Sequence, residues 1–239
     1  MADLNQDVFF STIVELNRRL RARELSAFEL TRAFLDRLER LGSRYNALAL
    51  LLSDKALAKA RAVDDEIKRG RLRGPLQGVP CGVKDLLSVA GKPTAWGARP
   101  YAGQVFDYDA TVVRKLDRAG AVAAAKLAMV ELAGAGGYRL ASASLNGATR
   151  NPWNPERWAG GSSSGPAAAV AAGLVPFAIG SETLGSIVTP CAFSGVTGLR
   201  PTYGLVSRHG AMPLAWTMDK IGPICRSAED CGHVLQAIS

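Results

Sequence analysis

Two segments rich in serine and glycine, and one lysine after an apolar run, could support covalent chemistry. The segments are 160–166 (GGSSSGP) and 180–186 (GSETLGS), and the lysine is Lys84, directly after 78–83. A serine hydroxyl is a weak nucleophile until a base takes its proton, and lysine can be that base where desolvation keeps it neutral. A lysine at the end of a buried run is costly unless it is paired or neutral. This combination favours a serine nucleophile served by a lysine base.

Other interpretations of these residues remain open at the level of sequence. A phosphate loop is disfavoured because the chain has neither Gly-Lys-Ser/Thr nor Gly-x-Gly-x-x-Gly. A nucleophile elbow centred on Ser163 fits Gly-x-Ser-x-Gly, with Asp219 and His233 following in the order such hydrolases use. The preceding segment 151–158 contains two prolines, however, and so cannot be a central strand. Glycine and serine are also ordinary loop residues, and Lys84 could reach solvent from a strand end.

Composition limits the classes of protein that remain. The 239 residues include 48% hydrophobic residues and a net charge of +8, which excludes a disordered chain. Four Cys without a C-x-x-C pair, and two His, argue against a disulfide scaffold or a zinc site built from His and Cys. We expect no metal and no cofactor. The basic cluster 68–73 is interpreted as a helix end, and direct nucleic-acid binding is not predicted.

The sequence predicts a soluble cytoplasmic protein that makes no membrane contact. Acidic residues occupy the first seven positions, where a secretory signal would carry Lys or Arg. The longest apolar stretch, 166–179, is broken by Gly173 and Pro176 and is shorter than the roughly 20 residues of a membrane span.

Periodicity predicts helices first and then alternating helices and strands. Residues 1–70 are predicted to be helical, with a capping box at Ser26 and Glu29. The later elements are predicted helices at 54–69, 109–119 and 167–172, strands at 78–83, 121–125 and 174–180, and a turn at 181–186. This alternation predicts an α/β layer fold in a single domain, 1–239. The irregular segment 134–165 is more typical of a functional loop than of an idle one.

Residues 75–226 resemble the amidase signature family. The similar blocks are 78–85 (GVPCGVKD), 160–163 (GGSS), 182–186 (ETLGS, where the family has Asp-Thr-Gly-Gly-Ser) and 195–202 (GVTGLRPT). Their order matches the family, and Ser162 and Ser186 are 24 positions apart, as its pattern requires. The resemblance implies an α/β/α sandwich with a mixed central sheet flanked by helices.

The resemblance also implies roles for individual residues. Ser186 would be the nucleophile, Ser162 a bridging serine after a cis peptide bond from Gly161, and Lys84 the base. The oxyanion hole would be formed by the backbone N–H groups of Thr183, Leu184, Gly185 and Ser186. No family position identifies His209 or His233 as catalytic, Cys191 is interpreted as a small buried residue, and the substrate-binding residues are unknown.

The chain departs from the family pattern at several positions near these groups. Glu182 stands where the family has Asp, and Leu184 stands where it has Gly. Because a positive φ would be costly for leucine, the conformation of residue 184 is the main question that this substitution raises. Ser164 and Pro166 also replace the usual Gly and Ser.

Three functions are compatible with the resemblance. The first is an amidase that hydrolyses a small-molecule carboxamide through an acyl-enzyme intermediate, as a monomer or a homodimer. The second is the glutaminase (A) subunit of a tRNA-dependent amidotransferase, bound to its partner subunits. Family members continue well past residue 239, so the C-terminal part of the fold and most of the acyl-side pocket are expected to be absent. The third possibility is therefore an inactive, truncated amidase-like fragment.

Overall fold

The computed structural model describes residues 6–134 and 140–239. Five residues at the acidic start, and five within the irregular segment 134–165, lie outside the described residues. In the described part, a single six-stranded mixed sheet is flanked by helices, which confirms the predicted α/β class. None of the helices in this part is both long and apolar enough to cross a bilayer.

The elements of the described chain are numbered in sequence order. The helices are α1 (Ile13–Arg21), α2 (Ala27–Leu41), α3 (Ser53–Lys68), α4 (Thr111–Arg118), α5 (Ser164–Ala171), α6 (Val188–Ser194) and α7 (Ala228–Ile238). The strands are β1 (Leu48–Leu51), β2 (Pro80–Lys84), β3 (Val122–Leu127), β4 (Phe177–Glu182), β5 (Thr197–Gly198) and β6 (Lys220–Cys225). Short 3₁₀ helices cover Gln6–Phe10, Arg99–Tyr101 and Glu131–Ala133.

The centre of the sheet is parallel and its edges are antiparallel. The strand order is β1-β3-β2-β4-β6-β5, and β2 pairs in parallel with both β3 and β4. Every residue of β2 and of β4 is buried, which fits the nearly continuous apolar runs seen in the sequence. Because β2 and β4 run in the same direction, their carboxyl ends meet at one edge of the sheet.

The register of β2 and β4 brings chemistry-bearing residues together at that edge. Cys81 lies opposite Phe177, and Val83 lies opposite Ile179. Lys84, the last residue of β2, therefore lies beside the end of β4.

Strand β4 ends two residues later than the sequence predicted. We expected the strand to stop at residue 180, with a turn at 181–186. Instead Ser181 pairs with Ile221 and Glu182 pairs with Lys220 of β6, so both belong to the strand. The sequence could not reveal this extension, since it depends on a partner strand almost 40 residues away.

The N-terminal segment contains a strand that helical periodicity missed. The run Leu48–Leu51 forms the edge strand β1, antiparallel to β3, within the segment predicted to be helical. Four residues between two helices are too few for a helix of their own, and pairing with β3 satisfies their backbone groups. The predicted capping box is confirmed: Glu29 N–H donates to Ser26 Oγ at 3.1 Å, and Ser26 N–H donates to the Glu29 carboxylate at 2.9 Å.

The last helix is fastened to the first through one buried carboxylate. Asp230 of α7 is 1% exposed, and its two oxygens accept hydrogen bonds from Ile13 N–H at 3.1 and 3.2 Å. Nearby, Arg226 donates to the carbonyl oxygens of Phe10 and Ser11. These contacts close the domain between residues more than 200 positions apart.

Replacing this carboxylate is expected to destabilise the domain. Asp230→Ala leaves the buried Ile13 N–H without its partner, so the free energy of unfolding is expected to fall by roughly 1–3 kcal/mol. Urea denaturation measures the change. The neighbouring substitution Glu229→Ala removes a side chain that is 74% exposed and is expected to change stability by less than about 0.5 kcal/mol. Equal effects of the two substitutions would contradict this account.

Candidate functional site

Lys84 is completely buried at the carboxyl end of β2, and it does not reach solvent. Its Nζ lies 2.7 Å from Ser162 Oγ and donates to Ser181 Oγ at 2.9 Å. The Ser181 carbonyl oxygen lies further away, at 3.5 Å. The immediate neighbours of this amine are thus hydroxyl groups rather than carboxylates.

This environment changes the protonation of the amine. Burial lowers the pKa of Lys84 to about 7, against the opposing effect of the Asp219 and Glu182 carboxylates, which favour the charged form. A substantial fraction of the amine is therefore neutral near pH 7. A neutral amine has a lone pair that can accept a proton from a hydroxyl group.

Ser162 is held by the backbone on both sides. The Gly161–Ser162 peptide bond is cis, as the resemblance implied, and Val130 N–H donates to the Ser162 carbonyl at 3.1 Å. Helix α5 begins two residues later, where Gly165 N–H donates to the Ala128 carbonyl at 2.9 Å. A Cβ atom on Gly165 would lie 2.4 Å from that oxygen, so only glycine permits this close approach.

Ser163 joins the two serine-rich segments. Its N–H donates to the Ser186 carbonyl at 3.1 Å, and its hydroxyl donates to the Ser181 carbonyl at 3.1 Å. The same hydroxyl accepts from Ser181 N–H at 3.2 Å. Ser186 itself is 1% exposed. The structure therefore brings Lys84 and the segments that carry Ser162 and Ser186 into one buried network.

The turn after β4 accommodates leucine at residue 184 without the strain that the sequence suggested. Gly185 adopts the left-handed conformation, with φ at 87°, while Leu184 is absent from the described non-glycine residues with positive φ. The Leu184 side chain is 70% exposed. The turn thus keeps its shape through Gly185, and the leucine points an apolar group outward.

Glu182 fixes the end of this turn against α6. Its carboxylate accepts from Ile187 N–H at 2.8 Å and from Val188 N–H at 2.9 Å. Burial acts to raise the pKa of Glu182, but these backbone hydrogen bonds and Arg200 lower it overall. Glutamate in the place of the family's aspartate therefore still caps the helix that follows Ser186.

Three polar residues at this edge were not identified as site residues from the sequence. Lys84 contacts Ser181, and Asp219 accepts a hydrogen bond from the Thr183 hydroxyl. Lys220 donates to the Thr183 carbonyl at 2.9 Å. Asp219 and Lys220 reach the turn only because β6 pairs with β4, and this pairing leaves no local pattern in the sequence.

A second buried lysine offers a comparison within the same sheet. Lys126 lies on β3 and has no exposed side-chain surface, but its Nζ lies 2.8 Å from the Asp85 carboxylate. It also donates to the Pro93 carbonyl at 2.8 Å. Lys126 is thus a conventional buried ion pair, whereas Lys84 is surrounded by serine hydroxyls.

The remaining candidates lie apart from this network or play other parts. His233 is on α7 at 3.9 Å from Glu229, and the ring of His209 packs against Tyr108. Cys191 is buried in α6, and burial raises its pKa. Among the described residues, no group of three or more His, Cys, Asp or Glu could hold a metal ion.

The alternative based on a nucleophile elbow is not supported. The segment ahead of Ser163 forms turns and a single bridge between Arg150 and Trp158 rather than a strand. An elbow requires a strand that runs directly into the serine.

Comparison with known proteins identifies the family. The model of the amidase family matches residues 29–239. The chain belongs to the amidase family. In Moorella thermoacetica, the glutaminase-type (A) component of the glutamyl-tRNA(Gln) amidotransferase is 46% identical over 236 residues, which cover 98% of this chain and 47% of that protein.

Solved amidase structures have the same fold. The native peptide amidase of Stenotrophomonas maltophilia superposes with a TM-score of 0.90 at 42% identity, covering 96% of this chain and 48% of its own. An amidase family protein of Bacillus anthracis gives a TM-score of 0.88 at 35% identity, covering 98% of this chain and 47% of its own. This amidase family chain spans about half the length of the relatives it matches.

The lowered pKa of Lys84 predicts a pH-dependent stability difference. Between pH 7 and 10.5, the unfolded lysine holds a proton that the folded one has lost, so stability rises with pH in this window. Lys84→Met removes this titration and keeps an apolar side chain of similar length. The unfolding free energy of wild type minus that of Lys84→Met should be flat below about pH 6 and should rise by about 1.4 kcal/mol per pH unit near pH 8–9.

Urea denaturation of both proteins across this pH range measures the difference, in which the other titrating groups largely cancel. Parallel stability curves for the two proteins would show that Lys84 titrates like an ordinary exposed lysine.

Proposed function

We propose that this chain carries the reacting groups of an amidase that hydrolyses a carboxamide C–N bond. Ser186 is the nucleophile, Ser162 relays protons, and Lys84 is the base. The proposal is supported above all by one observation, the fully buried Lys84 amine 2.7 Å from Ser162 Oγ. Membership of the amidase family supports the same reaction class.

In the first half of the proposed reaction, Ser186 Oγ attacks the amide carbonyl carbon. Its proton passes to Ser162, whose own proton passes to the neutral Lys84 amine. One hydroxyl can serve both transfers, because it accepts from one partner and donates to the other. The negative charge that develops on the substrate oxygen is stabilised by backbone N–H groups of the turn 183–186. Loss of one such donor typically costs roughly 2.7–4 kcal/mol of barrier height.

In the second half, the C–N bond breaks and the substrate acyl group remains on Ser186 as an ester. The departing nitrogen takes a proton from Ser162, which recovers one from Lys84. A water molecule then attacks the ester, giving up a proton through Ser162, and releases the carboxylic acid. The cycle needs a base with a pKa near neutrality, and the burial of Lys84 supports this role.

Covalent labelling tests the assigned roles. Ser186→Ala should abolish labelling by a fluorophosphonate, because the attacking oxygen is gone. Ser162→Ala should slow labelling by about a hundredfold or more, since the proton relay is lost. Ser43→Ala, which removes an exposed hydroxyl far along the chain, should label like wild type. Undiminished labelling of Ser186→Ala would refute the assignment of the nucleophile.

A second candidate function is the glutaminase component of a tRNA-dependent amidotransferase. The 46% identity to the amidotransferase protein of Moorella thermoacetica favours it, while the 42% identity to a peptide amidase favours a free amidase. A glutaminase of this kind would release ammonia from glutamine and would pass it to partner proteins.

Two measurements separate these candidates. Strict preference for glutamine over other primary amides, together with stoichiometric co-purification of partner proteins, would support the amidotransferase. Turnover of other amides by the purified chain would support the free amidase. Absence of both turnover and Ser186 labelling would support the inactive fragment instead.

A further inference from the structure

A cavity of about 450 Å³ adjoins the Lys84 network. Its wall includes Ser181, whose hydroxyl lies 2.9 Å from Lys84 Nζ, and Thr183, the first residue of the turn that leads to Ser186. A molecule in this cavity would therefore lie beside the proposed reacting groups. The volume is within the range of about 300–1,000 Å³ that is typical of small-molecule sites.

Most of the cavity wall is apolar. One side comes from the residues after β2, and the other comes from the loop that leads into β6. The apolar lining residues are Leu86, Met212, Pro213, Leu214, Trp216 and Ile221. Trp216 is 78% exposed, which is unusual for so large an apolar side chain and leaves its ring available to a ligand.

The loop that carries this wall is fixed by backbone hydrogen bonds. Ser88 N–H donates to the Gly210 carbonyl at 2.9 Å, and Met212 N–H donates to the Leu86 carbonyl at 3.1 Å. The Asp219 carboxylate accepts from Leu214 N–H at 2.8 Å and from Ala215 N–H at 3.0 Å. The wall is thus built in advance, and a ligand would not have to order it.

The charged side chains around the cavity already have partners. The Asp219 carboxylate is occupied by the two N–H groups just named and by the Thr183 hydroxyl, and Lys220 donates to the Thr183 carbonyl. Arg208 donates to the Trp216 carbonyl at 2.6 Å and to the Tyr203 hydroxyl at 2.9 Å. The ammonium and carboxylate groups of free glutamine would find no charged group in the described wall without breaking one of these bonds. Burying such groups without partners is unfavourable.

We propose that this cavity receives the apolar part of the substrate, so that the chain acts on amides bearing an aryl or alkyl group in preference to glutamine. This inference rests on the proposed amidase function, because the cavity gains its meaning from the adjacent Lys84 network. An aromatic ring would pack against Trp216 and Leu214 while the amide group lies toward Ser181 and Thr183.

Binding to the full chain carrying Ser186→Ala, which prevents turnover, tests the cavity without requiring catalysis. The probes are 3-phenylpropanamide, propanamide and L-glutamine, and calorimetry or ligand-observed NMR measures their affinities. We expect 3-phenylpropanamide to bind at least tenfold more tightly than either of the others. Glutamine binding more tightly than 3-phenylpropanamide, or no binding of 3-phenylpropanamide, would overturn the proposal.

Adding a tryptophan substitution locates the binding site. Trp216→Ala should weaken 3-phenylpropanamide about tenfold and leave propanamide unchanged, and Leu214→Ala should act in the same direction. Trp153→Ala is the matched control, since Trp153 is 76% exposed, donates to the Ser194 carbonyl and does not line the cavity. Equal effects of Trp216→Ala and Trp153→Ala would overturn the proposal.

Fluorophosphonate labelling of wild type separates this inference from the proposed function. Labelling at Ser186 without a preference for 3-phenylpropanamide would refute the cavity assignment and leave the amidase function standing. Binding that depends on Trp216 without labelling would support the apolar site and refute the proposed chemistry.

Discussion

The burial of the Lys84 amine is the constraint on which the rest of the site depends. A charged ammonium without exposed surface is strongly disfavoured, and burial lowers the pKa of Lys84 to about 7. Lys126 lies equally deep in the same sheet, yet it has a carboxylate at 2.8 Å. The two lysines show two solutions to one problem: Lys126 is retained as an ion pair, and Lys84 is surrounded by hydroxyls and is easily deprotonated.

The parallel pairing of β2 with β4 explains why the groups around Lys84 converge. Both strands end at the same edge, so the last residue of β2 meets Ser181 and Glu182 at the end of β4. Ser163 then ties the serine-rich segments together through backbone bonds, and Glu182 caps the helix after Ser186. Most of these restraints involve main-chain atoms, which supports the idea that the site is rigid before any substrate arrives.

The sequence predicted the elements with local signals and missed what depends on distant pairing. The capping box at Ser26 and the end of α3 were predicted because their signals lie within one helical turn. Strand β1 was missed, since a four-residue apolar run between helices carries little periodicity. Lys84 and Ser162 were identified through their motifs, whereas Asp219 and the cavity beside it depend on how β6 returns to β4.

The central claim is that Lys84 is a neutral amine near pH 7, and its side-chain titration tests this most directly. NMR of protein labelled with ¹³C at lysine Cε follows each lysine across pH, and Lys84→Arg identifies the resonance that belongs to Lys84. The account predicts a midpoint near pH 7 for that resonance, while exposed lysines titrate near the ordinary value of about 10.4. A Lys84 midpoint at the ordinary value would contradict the account, because the amine would then be charged whenever Ser162 needs a base.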